Sequence, residues 1–353
     1  MRLADIPFEE TRPYPRPVPP FADLWRRSGD RGAAARYWIH DPAVGTGRIA
    51  LHGLFRLLPI DATSALGRRF GAVFQRLNAR SLAQARLEAA IPRLRPDLAP
   101  RALRDAAVAQ WWRNTVQTLA EFAHVERLLD ADRFEMIDRE HLDAACRSGR
   151  PVIAVSVHLA SWEASLRMLA RHGICAPKDW FTVWMPQPNR FENEIVWRIR
   201  RRHGTYAFPP APQTSRRMLG LLRSGTANLA ILVDEPAEGD VRFPLFGRAL
   251  PRRCNLRLVI ALARHTDALI VPGYMQRRGP ARFAFHWLPH ADVADFPPNE
   301  TGVQAVAARL SAQFEPVVAA NLEHWYMLHV LKLRDLPEAL PVAMSTGHDE
   351  TAG

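Results

Sequence analysis

Residues 151–157 read Pro-Val-Ile-Ala-Val-Ser-Val, a strand-length run rich in β-branched side chains with Ser156 as its one polar member. A run of that kind fits a central strand buried on both faces, as parallel sheets require. His158 stands where the run ends. Ser161 is then placed to cap a helix that carries Trp162, Leu166 and Leu169 towards a core and Arg167 and Arg171 towards water. Glu163 falls in the first turn of that helix, where the dipole favours a carboxylate. In open α/β sheets the ligand crevice forms at the carboxyl ends of the strands. A histidine with a carboxylate beside it there can serve as a general base, the carboxylate fixing the tautomer and stabilising the imidazolium. Taken alone, the two residues equally fit a hydrogen-bonded loop histidine and a glutamate at a helix start.

Elements of alternating type surround this strand. Residues 134–138 read as a short strand, followed by a helix from about residue 140 and a Gly149-Arg-Pro turn. A strand over 179–185, a helix over 189–202 and a short strand ending at Phe208 come next. A helix over 214–223 ends at Gly225. Residues 227–233 form another apolar strand that stops at the acidic loop opened by Asp234 and Glu235. A helix over 255–265, strands over 268–276 and 282–288, a helix over 301–322 and a final helical turn or two within 324–333 complete the series. Strands alternating with helices predict an α/β fold, a mostly parallel central sheet flanked by helices. Upstream, residues 79–129 are apolar at helical spacing with a break from Pro92 to Pro100, and residues 49–60 and 65–77 read as amphipathic helices with arginine flanks. The expected organisation is a Pro-rich, charged, extended arm over 1–40 with a short helical patch near 21–27, then a helical region over 41–130 that packs on or anchors the next unit. An α/β domain over 131–335 and a loose tail over 336–353 follow.

The formal net charge of +11 comes almost wholly from arginine, since Lys178 and Lys332 are the only lysines. It favours acidic partners such as anionic lipid headgroups, nucleic acid or an acidic protein. Nucleic acid fits least, because the sequence has no aromatic-interleaved basic stripe and no known nucleic-acid module. Cys146, Cys175 and Cys254 are odd in number and lack Cys-x-x-Cys spacing. No disulfide framework or zinc ribbon is therefore expected, which fits a reducing compartment. The 13 histidines include no clustered His/Cys set, so no metal site is expected. Neither a secretory leader nor a run of about 18 apolar residues is evident. Residues 49–77 leave two readings open: helices that pack on the domain, or helices that lie in a membrane interface.

The His-x4-Glu spacing of His158 and Glu163, with Trp162 directly before the glutamate, resembles the signature of the bacterial lipid A biosynthesis (lauroyl/myristoyl) acyltransferase family. That family lies within the wider set of His-x4-Asp/Glu glycerolipid acyltransferases. Other segments resemble it in the same order: the helix bearing Trp111-Trp-Arg-Asn114 and Phe122, then Glu140-His-Leu with Gly149-Arg-Pro. Leu232-Val-Asp234-Glu235 stands where the family has Asp-Gln, and Phe243-Pro-Leu-Phe246-Gly247-Arg248 where it has Pro-Phe-Phe-Gly. Phe314-Glu315-Pro and Glu323-His-Trp325-Tyr-Met-Leu-His329 match its closing helix and aromatic tail. The resemblance runs from about residue 50 to 335. Departures lie at Trp184-Met185-Pro186, where the family carries Arg-Pro and this chain has no arginine until Arg190, and at Pro251-Arg-Arg-Cys254-Asn255 in place of a Thr/Gly-rich stretch.

What the resemblance implies is acyl transfer. His158 takes the proton of an acceptor hydroxyl or amine, Glu163 orients it, and the nucleophile attacks the thioester of an acyl carrier protein or acyl-CoA donor. Backbone N–H groups at the strand end or helix start hold the oxyanion. Transfer is direct, because Ser161 lacks a Gly-x-Ser-x-Gly elbow. No metal or cofactor beyond the acyl thioester is implied. Substrate-binding candidates are Ser161, Trp162, Arg190, Asp234, Glu235, Phe246, Gly247 and Arg248. Asp234 also fits a turn cap, and Arg248, Arg252 and Arg253 equally fit a solvated basic face. The implied acceptor is a lipid A precursor or another anionic lipid at the cytoplasmic face of the inner membrane, with the protein peripheral or weakly anchored there. The departures point away from a standard lipid A precursor, towards a pigment, a polyene, or an ornithine- or glycerolipid. The rival is a silent membrane-surface scaffold.

Overall fold

The computed structural model describes residues 1–26, 29–130, 132–334 and 336, so nearly all of the expected tail, and Arg27 of the expected helical patch, lie outside the described residues. Its strands are β1 (Phe134–Ile137), β2 (Val152–Ser156), β3 (Asp179–Val183), β4 (Tyr206–Phe208), β5 (Ala227–Leu232), β6 (Leu269–Gly279), β7 (Arg282–Trp287) and β8 (Ala291–Asp292). They form one sheet in the order β1-β7-β6-β2-β5-β3-β4, with β8 against β6. Every pairing is parallel except those of β6 with β7 and β8. The α/β fold read from the alternation of elements is the fold observed.

β2 is buried along its whole length, which explains its lack of polar alternation. Ile153, Val155 and Val157 enter one core with Leu229, Ile231 and Ile270, while Val152 and Ala154 enter a second with Ala230 and Val271. Helix α7 (Trp162–Arg171) covers the second face through Ala164, Met168 and Leu169. Helices α9 (Pro212–Arg223), α10 (Asn255–Thr266) and α11 (Glu300–Ala320) cover the first through Leu222, Ile260 and Phe314. Helices α6 (Glu140–Arg147) and α8 (Arg190–Arg202) complete the helices of the α/β part. Burying a Leu, Ile or Phe in either layer contributes roughly 1.5–3 kcal/mol.

The N-terminal helices are α1 (Arg31–Ala35), α2 (Asp41–Leu57), α3 (Ile60–Leu77), α4 (Leu82–Leu94) and α5 (Arg101–Glu121). α4 and α5 share the first core through Leu87, Ile91, Trp111 and Trp112. α3 lies on α5 so closely that a Cβ at Gly71 would stand 2.4 Å from the Arg113 Cα, and one at Gly67 would stand 2.8 Å from the Gln117 Cα. A buried polar tie locks the pair to the sheet: Glu121 accepts from Arg277 on β6 at 2.7 and 2.8 Å and from Ser64 on α3 at 2.7 Å. The opposite face of α3 leaves Leu66, Phe70, Val73, Phe74 and Leu77 exposed, and α2 leaves Ile49, Leu51, Leu54 and Leu57 exposed. Among the described residues no helix is long and apolar enough to cross a membrane.

Two expectations need correction. Residues 1–40 are an extended arm only in part. Residues 13–20 carry no helix or strand and Phe21–Leu24 is a 3-10 turn within the expected helical patch, but further 3-10 turns, α1 and a π-helical turn form on either side, and Leu3 and Ile6 are buried in the main core. Phe8 packs on Tyr206 of the edge strand β4 with ring centroids 5.1 Å apart, Tyr206 donates to the Ile6 carbonyl at 3.2 Å, and Trp197 of α8 donates to Thr11 at 3.1 Å. Cys146 and Cys175 form a disulfide across a Cα–Cα distance of 5.1 Å. Their sequence separation of 29 residues carried no signal, because the fold alone brings the end of α6 beside the loop after α7. The cysteine argument for a reducing compartment falls with it.

Candidate active site

Strand register assembles the site. Ser156 of β2 pairs with Leu232 of β5, and the Val233 N–H donates to the Ser156 carbonyl at 2.9 Å. Two residues beyond each partner stand His158 and Asp234, so parallel neighbours deliver them side by side at their carboxyl ends. The chain crosses from β2 to β3 on one side of this point and from β5 to β6 on the other, the switch at which α/β crevices open. Asp234 is fully buried. One carboxylate oxygen accepts from the His158 ring Nδ1 at 2.7 Å, and the other accepts from the His158 backbone N–H at 2.9 Å and the Trp325 indole N–H at 2.8 Å. The segment after α11 closes over the loop: Tyr326 N–H donates to the His158 carbonyl at 2.9 Å, and Ala160, in the left-handed region at φ +48°, donates to the His324 carbonyl at 3.2 Å.

The other ring nitrogen of His158, Nε2, faces Glu235 at 3.5 Å. Burial pulls the His158 imidazole down, but Asp234, Glu235 and Glu163 together outweigh it and hold the ring above the usual histidine value. Burial pushes the Glu235 carboxyl up, with Asp234 adding to the rise and His158 opposing it. Trp162 and Tyr326 wall the ring at centroid distances of 5.6 and 6.3 Å. A histidine whose Nδ1 is held by a buried carboxylate can take a proton at Nε2 and return it.

Glu163 is not the partner of the His158 ring. It is bound bidentately by Arg200 of α8, Nε and Nη2 each at 2.8 Å. The His-x4-Glu spacing misleads because Leu159 bridges to Trp325 and Ala160, at φ +48°, bends the chain before the helix that carries Glu163. Glu163 acts on His158 through charge rather than a hydrogen bond.

A family model described as bacterial lipid A biosynthesis acyltransferase matches residues 36–333. The chain belongs to that family. It is an acyltransferase, of a family whose chemistry is acyl transfer onto lipid acceptors. No match to a curated protein was found.

The other residues that the family signature suggested are dispersed. Ser161 occupies the N-cap position of α7 without a side-chain cap bond, contrary to expectation. Arg190 is stacked 3.8 Å from the Tyr37 ring centroid and donates to the Tyr37 carbonyl at 2.9 Å, so it ties α8 to the N-terminal segment and not to His158. Phe246, at φ +47°, backs Trp325 with ring centroids 6.2 Å apart, and Gly247, at φ +80°, completes that turn. Arg248 is buried and donates to the Leu245 and Pro244 carbonyls at 2.9 and 3.3 Å. It is therefore a loop brace and no part of a solvated basic face, unlike the exposed Arg252 and Arg253.

Arg200 went unrecognised in the sequence because it sits in the run Arg198-Ile-Arg200-Arg-Arg202, where no one arginine is marked. Helical phase is the available signal: α8 buries Trp197 and Arg200, three residues apart, and leaves Arg201 out. Its guanidinium also lies 4.8 Å from the centre of the Trp184 ring, at the place where the family carries Arg-Pro.

Proposed function

We propose that the protein transfers a fatty acyl group from acyl carrier protein or acyl-CoA to a headgroup nucleophile of a membrane lipid, with His158 as general base. The observation that supports this most is the fixed ring, Nδ1 bonded to a buried carboxylate at 2.7 Å and Nε2 beside the partly exposed Glu235. The acceptor proton passes to Nε2 as the nucleophile attacks the thioester carbonyl. First-turn N–H groups of α7 supply oxyanion donors. Collapse breaks the carbon–sulfur bond, and the thiolate recovers the proton from Nε2, so the enzyme returns unchanged. As written, the transfer draws on no cofactor besides the thioester co-substrate. Asp234 positions His158, and the Glu163–Arg200 pair braces the start of α7. Trp162 and Tyr326 wall the ring.

The exposed apolar residues of α2 and α3, with exposed Arg56, Arg69, Arg76 and Arg80 among them in the chain, have the composition of a surface that lies in a bilayer interface rich in anionic lipid. On this reading the protein is peripheral at the cytoplasmic face of the inner membrane, where both thioester donors are made.

The test is a mass-spectrometric transfer assay with both donors and a total lipid extract, wild type beside His158→Ala. A new acylated lipid formed by wild type and lost with His158→Ala is the expected result. Equal product from the variant would remove His158 as the base. Transfer by neither protein, with both folded, would favour the silent scaffold.

A further inference from the structure

Glu235 stands where the family has glutamine, and it lies against the one nitrogen of His158 that must meet the acceptor. Its side chain is 30 % exposed, whereas those of His158 and Asp234 are 6 % and 0 %. It is thus the carboxylate of this group that opens towards an incoming substrate. The other acidic groups near the ring are already engaged: Asp234 by His158 and Trp325, and Glu163 by Arg200. Among the described residues Glu235 has no guanidinium or ammonium partner; the groups that act on it are the His158 ring and Asp234, and it acts in turn on the Tyr326 phenol, as Arg48 does.

Proton accounting gives this extra carboxylate a use. A hydroxyl acceptor has one proton to lose, and one base is enough. A primary amine arrives as ammonium and has two, one before it becomes a nucleophile and one after attack. Two adjacent bases at 3.5 Å match that need. We infer that the natural acceptor is an amine-bearing lipid, its ammonium held and deprotonated by Glu235 and its nitrogen acylated with His158 as the base.

The inference rests on the acyl-transfer reading above. In the step, Glu235 takes a proton from R–NH3+, the freed amine attacks the thioester carbonyl, and His158 takes the second proton at Nε2. The carbon–sulfur bond breaks, the thiolate leaves with the proton from Nε2, and Glu235 releases its proton to water. The sum is ammonium plus thioester giving amide, thiol and a proton. Glu235 touches the reacting group in this scheme and is a catalytic residue of it. An acceptor flanked by phosphate would instead meet like charge at the same point.

Matched probes test the class of acceptor. Dodecylamine and dodecanol, each in neutral detergent micelles with lauroyl-CoA and with lauroyl-acyl carrier protein, share one chain and differ in the head group, an ammonium in one and a neutral hydroxyl in the other. The readout is the amine-to-alcohol ratio of kcat/KM, corrected for the uncatalysed aminolysis in heat-inactivated protein. Wild type is expected to favour the amine at least tenfold near pH 7. E235Q is expected to cut that ratio at least tenfold whatever its absolute rate, and E235D to retain most of it. Raising the pH until the amine is largely free should bring the ratio of E235Q back towards wild type, which a structural role for Glu235 would not produce. Transfer to both probes with a ratio that E235Q leaves unchanged overturns this inference alone. Should E235Q not fold, a wild-type ratio near one overturns it equally. Transfer to neither probe by a preparation that acylates the lipid extract overturns this inference alone, and transfer to neither the probes nor the extract removes the acyl-transfer reading and this one with it.

Discussion

Replacing Asp234 by asparagine separates the two candidate partners of His158. One oxygen of Asp234 takes two N–H donors, the His158 backbone at 2.9 Å and the Trp325 indole at 2.8 Å. The other takes the ring Nδ1 at 2.7 Å. An asparagine keeps most of this network by placing its oxygen on the two donors and its NH2 on Nδ1. The ring must then accept at Nδ1 and carry its proton on Nε2, the wrong tautomer for a base. The same tautomer inversion in a Ser-His-Asp triad costs about 10⁴ in kcat, or roughly 5 kcal/mol of transition-state stabilisation. Because the hydrogen bonds survive, stability should fall by no more than about 1–2 kcal/mol. Glu163→Gln should give the inverse pattern. It leaves the buried Arg200 without its counter-charge at about 3–5 kcal/mol of stability, while the folded fraction keeps kcat within about tenfold. Initial acyl-transfer rates and thermal unfolding of both variants supply the comparison. An Asp234→Asn enzyme within tenfold of wild type, beside a Glu163→Gln enzyme that loses 10³-fold with an unchanged Tm, would refute the assignment.

Four further outcomes are expected. His158 is held above the usual histidine value, so the acid limb of kcat/KM should have its midpoint above about 6.5, and Glu235→Gln should move it down. His324, buried, is lowered to about 4 and stays neutral in the fold; its stabilisation is complete above about 6.5 and is lost as pH falls towards 4, a loss on the order of 2–3 kcal/mol that His324→Gln should remove from the Tm–pH curve. A helix-interior Gly→Ala change usually stabilises by about 0.5–1 kcal/mol, as Gly53→Ala on the open face of α2 should; Gly71→Ala meets the Arg113 backbone at 2.4 Å and should destabilise by about 2–3 kcal/mol in denaturant titrations. Replacing Phe70, Phe74 and Leu77 by serine should weaken sedimentation with phosphatidylglycerol vesicles at least tenfold at constant Tm, and unchanged sedimentation would place the membrane contact elsewhere.

The sheet was legible because each buried strand announces itself by an uninterrupted apolar run, and β2 and β5 have no other way to be soluble than at the centre of two layers. The site was legible only as far as the carboxyl ends of those runs. That rule singled out His158, Asp234 and Glu235, but not which of the acidic residues touches the ring, because contact depends on strand order. β5 lies beside β2 although β3 and β4 intervene in the chain, and no local pattern encodes that insertion. Sequence proximity therefore favoured Glu163, five residues from His158, over Asp234, which is 76 residues away. The fold reverses the ranking for a physical reason. Parallel neighbours in register must end together, so a side chain just past β5 is fixed on the one just past β2, while the turn at Ala160 swings Glu163 away to Arg200. Any chain with this strand order is thus expected to carry the working carboxylate at the end of the strand beside the histidine's own, and the glutamate of the spaced motif is free to hold the helix in place.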